Sequence, residues 1–394
     1  MPSPSPLHLA VALDGAGWHP AAWREPDARP ADVFTPGYWV ELARRAEAAG
    51  IDFVTLEDGL ALQSSLPNGR PDGRTDRLRG RLDAVLIAAR MAPLTHRIGL
   101  VPSVTVTHTE PFHTSKAIAT LDYVSTGRAG VRVQVSARVQ DALHFGRRTF
   151  PEDFSLDGNP TDLLAEAGDY VEVLRGLWDS WEDDAEIRDA ATGRFVDREK
   201  LHYIDFEGPW FRVRGPSITP RPPQGQPLVT ALAHSAVPYR FAARHTDLVY
   251  VTPRDRDHAA EIVAEVLEEG ARVGRPAEDF RVFADLVVFL DRDPSASAGR
   301  RARLDDLDGQ EYRSDAHIFA GTPAQLADLL ADWHPAGIAG FRLRPGAIPH
   351  DLDAVTDGLI PELRRRGLFR ADYEATTLRG HLGFDRPANR YASV

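Results

Sequence analysis

Strand-sized apolar runs alternate along this chain with stretches in which apolar residues recur at helical spacing. Residues 7–13 (LHLAVAL) predict a first strand. In 38–49 (YWVELARRAEAA) apolar side chains return every three or four positions and Gly50 follows as a C-cap, so this segment predicts the first helix. Strands two, three and four are expected at 51–56, 98–106 (IGLVPSVTV) and 131–136, with helices over 82–91 and 112–123 between them. The amphipathic period over 163–181 predicts a long helix. Strands five to eight fall at 228–232, 248–251, 282–290 and 338–343, interleaved with helical segments that include 262–270. The helix over 322–333 opens on Thr322-Pro323-Ala324-Gln325: a cap, a proline at the first helical position and a glutamine three residues on. Residues 351–366 predict the last helix. Eight such alternations predict parallel βαβ units closing into an α/β barrel, a (β/α)8 TIM barrel, with an open doubly wound sheet as the rival arrangement.

Two segments break the alternation. Residues 183–227 are charged, then rich in Gly, Pro and aromatics; within them 203–206 and 210–213, flanking Glu207-Gly208-Pro209, predict a small hairpin. Residues 291–314, rich in Arg and Asp and poor in apolar side chains, predict a mobile loop or lid. The expected organisation is one barrel domain over 1–394, with insertions at about 183–227 and 291–316 and an extension over 367–394 that shows no clear period.

Composition narrows the chemistry. The 394 residues include no cysteine, which excludes disulfides, thiolate nucleophiles and cysteine-ligated metals. A formal net charge of −12 opposes nucleic-acid binding, which needs clustered cations. No apolar run approaches the roughly 20 residues of a membrane helix. Residues 1–6 (MPSPSP) lack the cationic and apolar regions of a signal peptide, so a cytoplasmic location is expected. Only Lys116 and Lys200 among the 46 basic residues are lysines, a bias expected of a GC-rich genome rather than of function.

In a parallel barrel, ligands sit where strands end. Those ends carry Asp14-Gly15-Ala16-Gly17 with Trp18 and His19, then Glu57-Asp58, then Thr105, Thr107 and His108. Gln134, Ser136 and Arg138 follow, then His234-Ser235, then Arg342 and Arg344. Adjacent residues on a strand face opposite sides, so Glu57 and Asp58 are not an acid–base pair; one is expected in the mouth and the other packed outward. His108 and His113 have no third ligand at a zinc spacing, and no metal site is expected. A proton-handling His108 and a structural, hydrogen-bonded one both stay open. Gly15-x-Gly17 lacks the third glycine and the immediate helix of a dinucleotide site. From the residues alone the picture ends at a barrel-type enzyme with a polar pocket of Asp58, Thr105, His108, Gln134, Ser136 and Ser235.

Longer stretches add a resemblance. They are AAWRE (21–25), FVTLEDGLA (53–61), EPFHTSKAIATLDYVSTGRAG (110–130), HFG (144–146) and LWDSWEDDA (177–185). HYIDFEGPWFRVRGPSITPRPPQGQPLV (202–229) and RGLFRADYEATTLRGHLGF (366–384) follow. Together they resemble the luciferase-like flavin monooxygenases, in the branch of nitrilotriacetate monooxygenase and dibenzothiophene sulfone monooxygenase. The resemblance implies a bacterial-luciferase-like barrel with insertions. It also implies exchangeable reduced FMN from a separate flavin reductase, and dioxygen that forms a flavin hydroperoxide and oxygenates a small organic substrate. A homo-oligomer, dimer or tetramer, goes with it. The alternatives are a deazaflavin-dependent hydride-transfer enzyme of the same superfamily and a non-catalytic barrel subunit that has lost its flavin.

Carried over residue by residue, Asp58 matches an acid near the flavin ring, and Ser103 and Thr105 lie in the segment that supports the ring. Ser136 and Ser235 match serines after strands four and five, the latter on the phosphate, with Gln134 beside them as a further cofactor contact. Three departures stand out. Arg132, within VRVQVS, stands where the branch has Asn, and Leu164 where a Tyr touches the phosphate. The phosphate loop reads Ala233-His234-Ser235-Ala236-Val237-Pro238, without its two glycines, so Arg132 or His234 is expected to supply charge instead. For acid–base chemistry the expected histidines are His108, then His144 and His19.

Overall fold

The computed structural model describes residues 6–64, 66, 70–151 and 161–392. Residues 1–5, which entered the signal-peptide expectation, and the last two residues of the extension lie outside them. The chain opens with β1 (His8–Leu13), α1 (Pro36–Ala48), β2 (Phe53–Leu56), α2 (Ala84–Met91), β3 (Gly99–Thr105), α3 (Pro111–Val124) and β4 (Gly130–Gln134). Helices α4 (Val139–Phe145) and α5 (Thr161–Asp179) follow. Two hairpins come next, β5 (Glu186–Asp189) with β6 (Arg194–Val196), and β7 (Phe206–Glu207) with β8 (Arg212–Val213). The chain re-enters the barrel with β9 (Leu228–Leu232), α6 (Ala236–His245), β10 (Leu248–Val251), α7 (Arg256–Arg272) and β11 (Arg281–Leu290). It leaves for α8 (Pro294–Asp308) and β12 (His317–Gly321), then closes through α9 (Pro323–Trp333) and β13 (Gly340–Pro345). Helices α10 (His350–Ala354), α11 (Ile360–Arg365) and α12 (Leu378–His381) complete it.

All barrel pairings are parallel, in the order β1-β2-β3-β4-β9-β10-β11-β13, with β13 returning to β1. The eight strands expected from the pattern close the (β/α)8 barrel. No described helix is long and apolar enough to cross a membrane. The capping box at Thr322 forms as expected: its hydroxyl accepts from the Gln325 amide, and Gln325 accepts from the Thr322 amide. The 203–213 hairpin also forms, and the β5–β6 hairpin before it has no counterpart in the sequence reading.

One expectation needs correction. Residues 291–314 are not a loop. Asp293 caps α8 by accepting from the Ala296 amide, and Gly309 ends the helix in the left-handed region that glycine tolerates. The helix is pinned to neighbouring loops by ions: Arg77 to Asp308 at 2.7 and 2.5 Å, Arg303 to Glu25 at 2.6 Å. The last helix forms over 350–365 close to the expected 351–366, with a wider turn over Val355–Leu359 between α10 and α11, next to Pro361, which has no N–H to donate back along it.

The barrel interior changes character along its axis. Inward positions at the bottom are apolar (Ala10, Phe53, Val101, Leu228, Leu248, Phe283), and the extension covers them with Leu378, Leu382 and Phe384. The larger apolar layer lies between the strands' outer faces and the helices. Asp122 on α3 is buried and accepts from the Ala129 amide at 3.1 Å and from the Gln224 amide and side chain at 3.0 and 2.6 Å. Burial nevertheless pushes its carboxyl up to about 6. The folded state therefore holds this proton more tightly than the unfolded state. The resulting stability is fully present below the ordinary value of 3.8 and is lost as pH rises through about 6. Relative to Asp122→Asn, wild type should lose about 3 kcal/mol between acid and neutral pH, read by urea unfolding. A difference that stays flat with pH would show that the charged carboxylate is satisfied where it lies.

Candidate active site

Toward the C-terminal ends of the strands the inward positions become ionic. Phe53, Thr55 and Glu57 alternate inward along and just past β2; β4 contributes Arg132 and Gln134, β11 Asp285, and β13 Arg342 and Arg344. Asp285, fully buried, accepts from Arg342 Nε at 2.8 Å and Nη2 at 2.5 Å, and from Arg344 Nε at 2.9 Å. Arg342 also donates to Thr55 Oγ1 and Glu57 Oε1, both at 3.3 Å, and lies over the Tyr250 ring. The other oxygen of Glu57 pairs with Arg132. Arg132 Nε donates to Ser103 Oγ at 3.0 Å and its Nη2 to Gln134 Oε1 at 3.2 Å. The Gln134 amide in turn donates to Thr105 Oγ1 at 2.8 Å and to the Asp58 carbonyl at 3.3 Å. Arg344 reaches the rim, where it meets Asp315 at 2.7 Å and lies over Trp18; Asp315 continues to His234 at 3.5 Å.

Burial raises the Asp285 and Glu57 carboxyls, but the facing guanidiniums outweigh it and hold both below the usual carboxylate range. Arg132 moves the other way, because burial lowers it more than Glu57 restores it.

Beside this network lies a cleft of about 910 Å³, open mouth included, between β4, α5, β9 and the start of α6. Arg132, Gln134, His234 and Ser235 line its polar side; Val135, Leu164 and Phe241 line its apolar side. Ser235 is the N-cap of α6, yet its hydroxyl makes no capping bond. The amides of Ala236 and Val237 belong to the first turn, which has no intrahelical acceptor, and Pro238 removes the next donor.

Four of the residues singled out from sequence thus share one cleft, and Ser103 and Thr105 support them from behind. The others stand apart. Asp58 turns outward and accepts from the Gly59 amide at 2.7 Å and the Ala84 amide at 3.0 Å, and burial raises its carboxyl. Ser136 donates to Asp141 of α4 at 2.7 Å. His108 stacks on Phe145, its Nε2 is buried without a partner, and burial followed by nearby Arg148 lowers its pKa. His144 is exposed on α4. His19 follows β1, four strands around the barrel from β9. Its Nδ1 accepts from the Ala21 amide at 3.1 Å, and its Nε2 lies 3.0 Å from Asp305 of α8. Gly15 and Gly17 serve packing: Gly17, at φ +127°, passes so close to Gly346 that a Cβ would meet its carbonyl oxygen at 2.5 Å.

Sequence reasoning missed Asp285 and Asp315, and with them the role of Glu57. The signal for Asp285 was present: a lone acid within the ten-residue apolar strand RVFADLVVFL must either be neutral or meet a buried cation.

The family model described as luciferase-like monooxygenase matches residues 17–313. The chain is 30% identical to N-acetyl-S-(2-succino)cysteine monooxygenase from Bacillus subtilis (strain 168), over 98% of both chains. It is 29% identical to nitrilotriacetate monooxygenase component A from Aminobacter aminovorans, again over 98% of both. Among solved structures, a riboflavin lyase with modified FMN and riboflavin superposes with a TM-score of 0.85 at 25% identity, covering 98% of each chain. The chain is a member of the luciferase-like monooxygenase family of oxidoreductases.

Proposed function

We propose that this protein is the oxygenase of a two-component system in the cytoplasm, taking reduced FMN from a separate reductase and using dioxygen to oxygenate a small organic substrate. The cleft between β4 and the start of α6 carries this reading, because it offers both kinds of contact a flavin needs. At one end the Ser235 hydroxyl and the amides of Ala236 and Val237 suit a phosphate, helped by the positive end of the helix dipole. At the other, Arg132 and Gln134 border a space walled by Val135, Leu164 and Phe241 that suits a planar ring. The residues present fit FMN, even without the glycines of the usual phosphate loop.

When bound, reduced FMN supplies the electrons and activates dioxygen. The protein's part is placement and exclusion. Ser235 and the start of α6 fix the phosphate. Arg132, held by Glu57 and Ser103, orients the ring edge, and the apolar walls keep water out.

Titration with FMN, with reduced FMN under anaerobic conditions and with a deazaflavin, followed by tryptophan fluorescence, tests the reading. Reduced FMN should bind, and on admission of dioxygen the complex should reoxidise at a rate different from that of free reduced FMN. Binding of the deazaflavin alone would move the assignment to hydride transfer, and binding of none would make the chain a non-catalytic partner. The same reading carries a homodimer or homotetramer, measurable by light scattering.

A further inference from the structure

The ionic network of the barrel mouth pairs its charges unevenly. Its deep members are three guanidiniums, Arg132, Arg342 and Arg344, and two carboxylates, Glu57 and Asp285, none more than 9% exposed at the side chain. The third carboxylate, Asp315, is 40% exposed at the rim and pairs with Arg344 at 2.7 Å; that guanidinium outweighs burial and holds it far below the usual carboxylate range. Neighbouring Arg81 and Asp14 pair with each other. Asp285 and Asp315 thus compensate Arg342 and Arg344, while Arg132 has Glu57 as its one carboxylate among the described residues and shares it with Arg342.

The least compensated of the three guanidiniums faces the cleft. Arg342 directs its donors to Asp285, Thr55 and Glu57, and Arg344 to Asp285 and Asp315. Arg132 alone lines the cleft, and its Nη1 takes no part in the bonds to Ser103, Glu57 and Gln134.

We propose that Arg132 selects the reduced flavin over the oxidised one by charge, an inference that rests on the FMN reading above. The reduced ring is an anion near neutral pH, whereas the oxidised ring is neutral, and a fixed cation at the ring edge separates the two. Glu57 and Ser103 hold one edge of the guanidinium so that the other faces the cleft. An asparagine there, as in the branch the chain resembles, would offer a hydrogen bond without the charge. An oxygenase built this way retains the flavin it needs and releases the spent one unaided.

The test uses purified protein under anaerobic conditions, titrated with oxidised and reduced FMN and with oxidised and reduced riboflavin, which lacks the phosphate. Wild type should bind the reduced form at least about tenfold more tightly in both pairs. Arg132→Gln should bring both ratios to within about twofold, the reduced form losing more affinity than the oxidised one. If the guanidinium holds the phosphate instead, the variant loses FMN affinity equally in both redox states and leaves riboflavin binding untouched, which overturns the proposal. Because Arg132→Gln leaves Glu57 with Arg342 as its remaining partner at 3.3 Å, the double variant Glu57→Gln/Arg132→Gln is measured beside it. It should fold, as judged by circular dichroism, and show the same flat ratio; a tenfold preference surviving there also overturns the assignment. Wild type that binds no flavin overturns the functional reading itself, before any variant is compared.

Discussion

Asp285→Asn is expected to cost about 3–5 kcal/mol of folding stability, the effect of breaking a buried ion pair from one side. Asp285 is fully buried between Arg342 and Arg344, which are themselves at most 2% exposed. A carboxamide keeps the shape but removes the charge, and its nitrogen faces guanidinium donors where an acceptor is needed. Arg342 and Arg344 then keep only Glu57 and Asp315 as carboxylate partners. Urea unfolding at pH 7 should show the loss as a lower midpoint with an unchanged slope. A loss under about 1 kcal/mol would mean that Glu57 and Asp315 re-form the pairs without it.

Ser235→Asp should act in opposite directions on stability and on binding. A carboxylate at the N-cap of α6 can accept from the first-turn amides that Ser235 leaves alone, worth about 0.5–1 kcal/mol. Those same amides are the ones assigned to the phosphate, and the new charge repels a dianion. FMN affinity should therefore fall about a hundredfold while riboflavin affinity holds, read by fluorescence titration. Equal loss for both ligands would place the phosphate elsewhere and the ring near α6.

Much of the barrel was legible because its strands are buried on both faces and read as apolar runs. What escaped was held by charge rather than by apolar periodicity. In α8 the buried positions include Arg300, which bonds Asp291 and Asp351, and only Leu304 among the large apolar residues, so its sequence shows no stripe to recognise. Strand β12 escaped for another reason. It pairs only with Leu286–Leu290 of β11, on the edge whose lower part, Arg281–Ala284, already pairs with β10. The clue was the length of β11, ten residues against four in β10.

The site divided in the same way. Gln134, His234 and Ser235 lie at strand ends, where barrel logic looks first, and they share a cleft. Glu57 was seen as one of two adjacent acids facing opposite ways, which the structure realises, with Glu57 inward and Asp58 outward. Its partner Arg132 is 75 residues away in the chain, and Asp285 lies 57 residues from Arg342. Pairings of that kind follow from barrel closure, which no local pattern encodes.

The covering of the barrel floor by Leu378, Leu382 and Phe384 separates the walls of the barrel from its base. The segment that seals the lower interior follows every barrel strand in the chain. Without it, Phe53, Val101 and Phe283 would face water at one end of the closed sheet. The pairing of the strands and the drying of the base are thus the work of different parts of the chain.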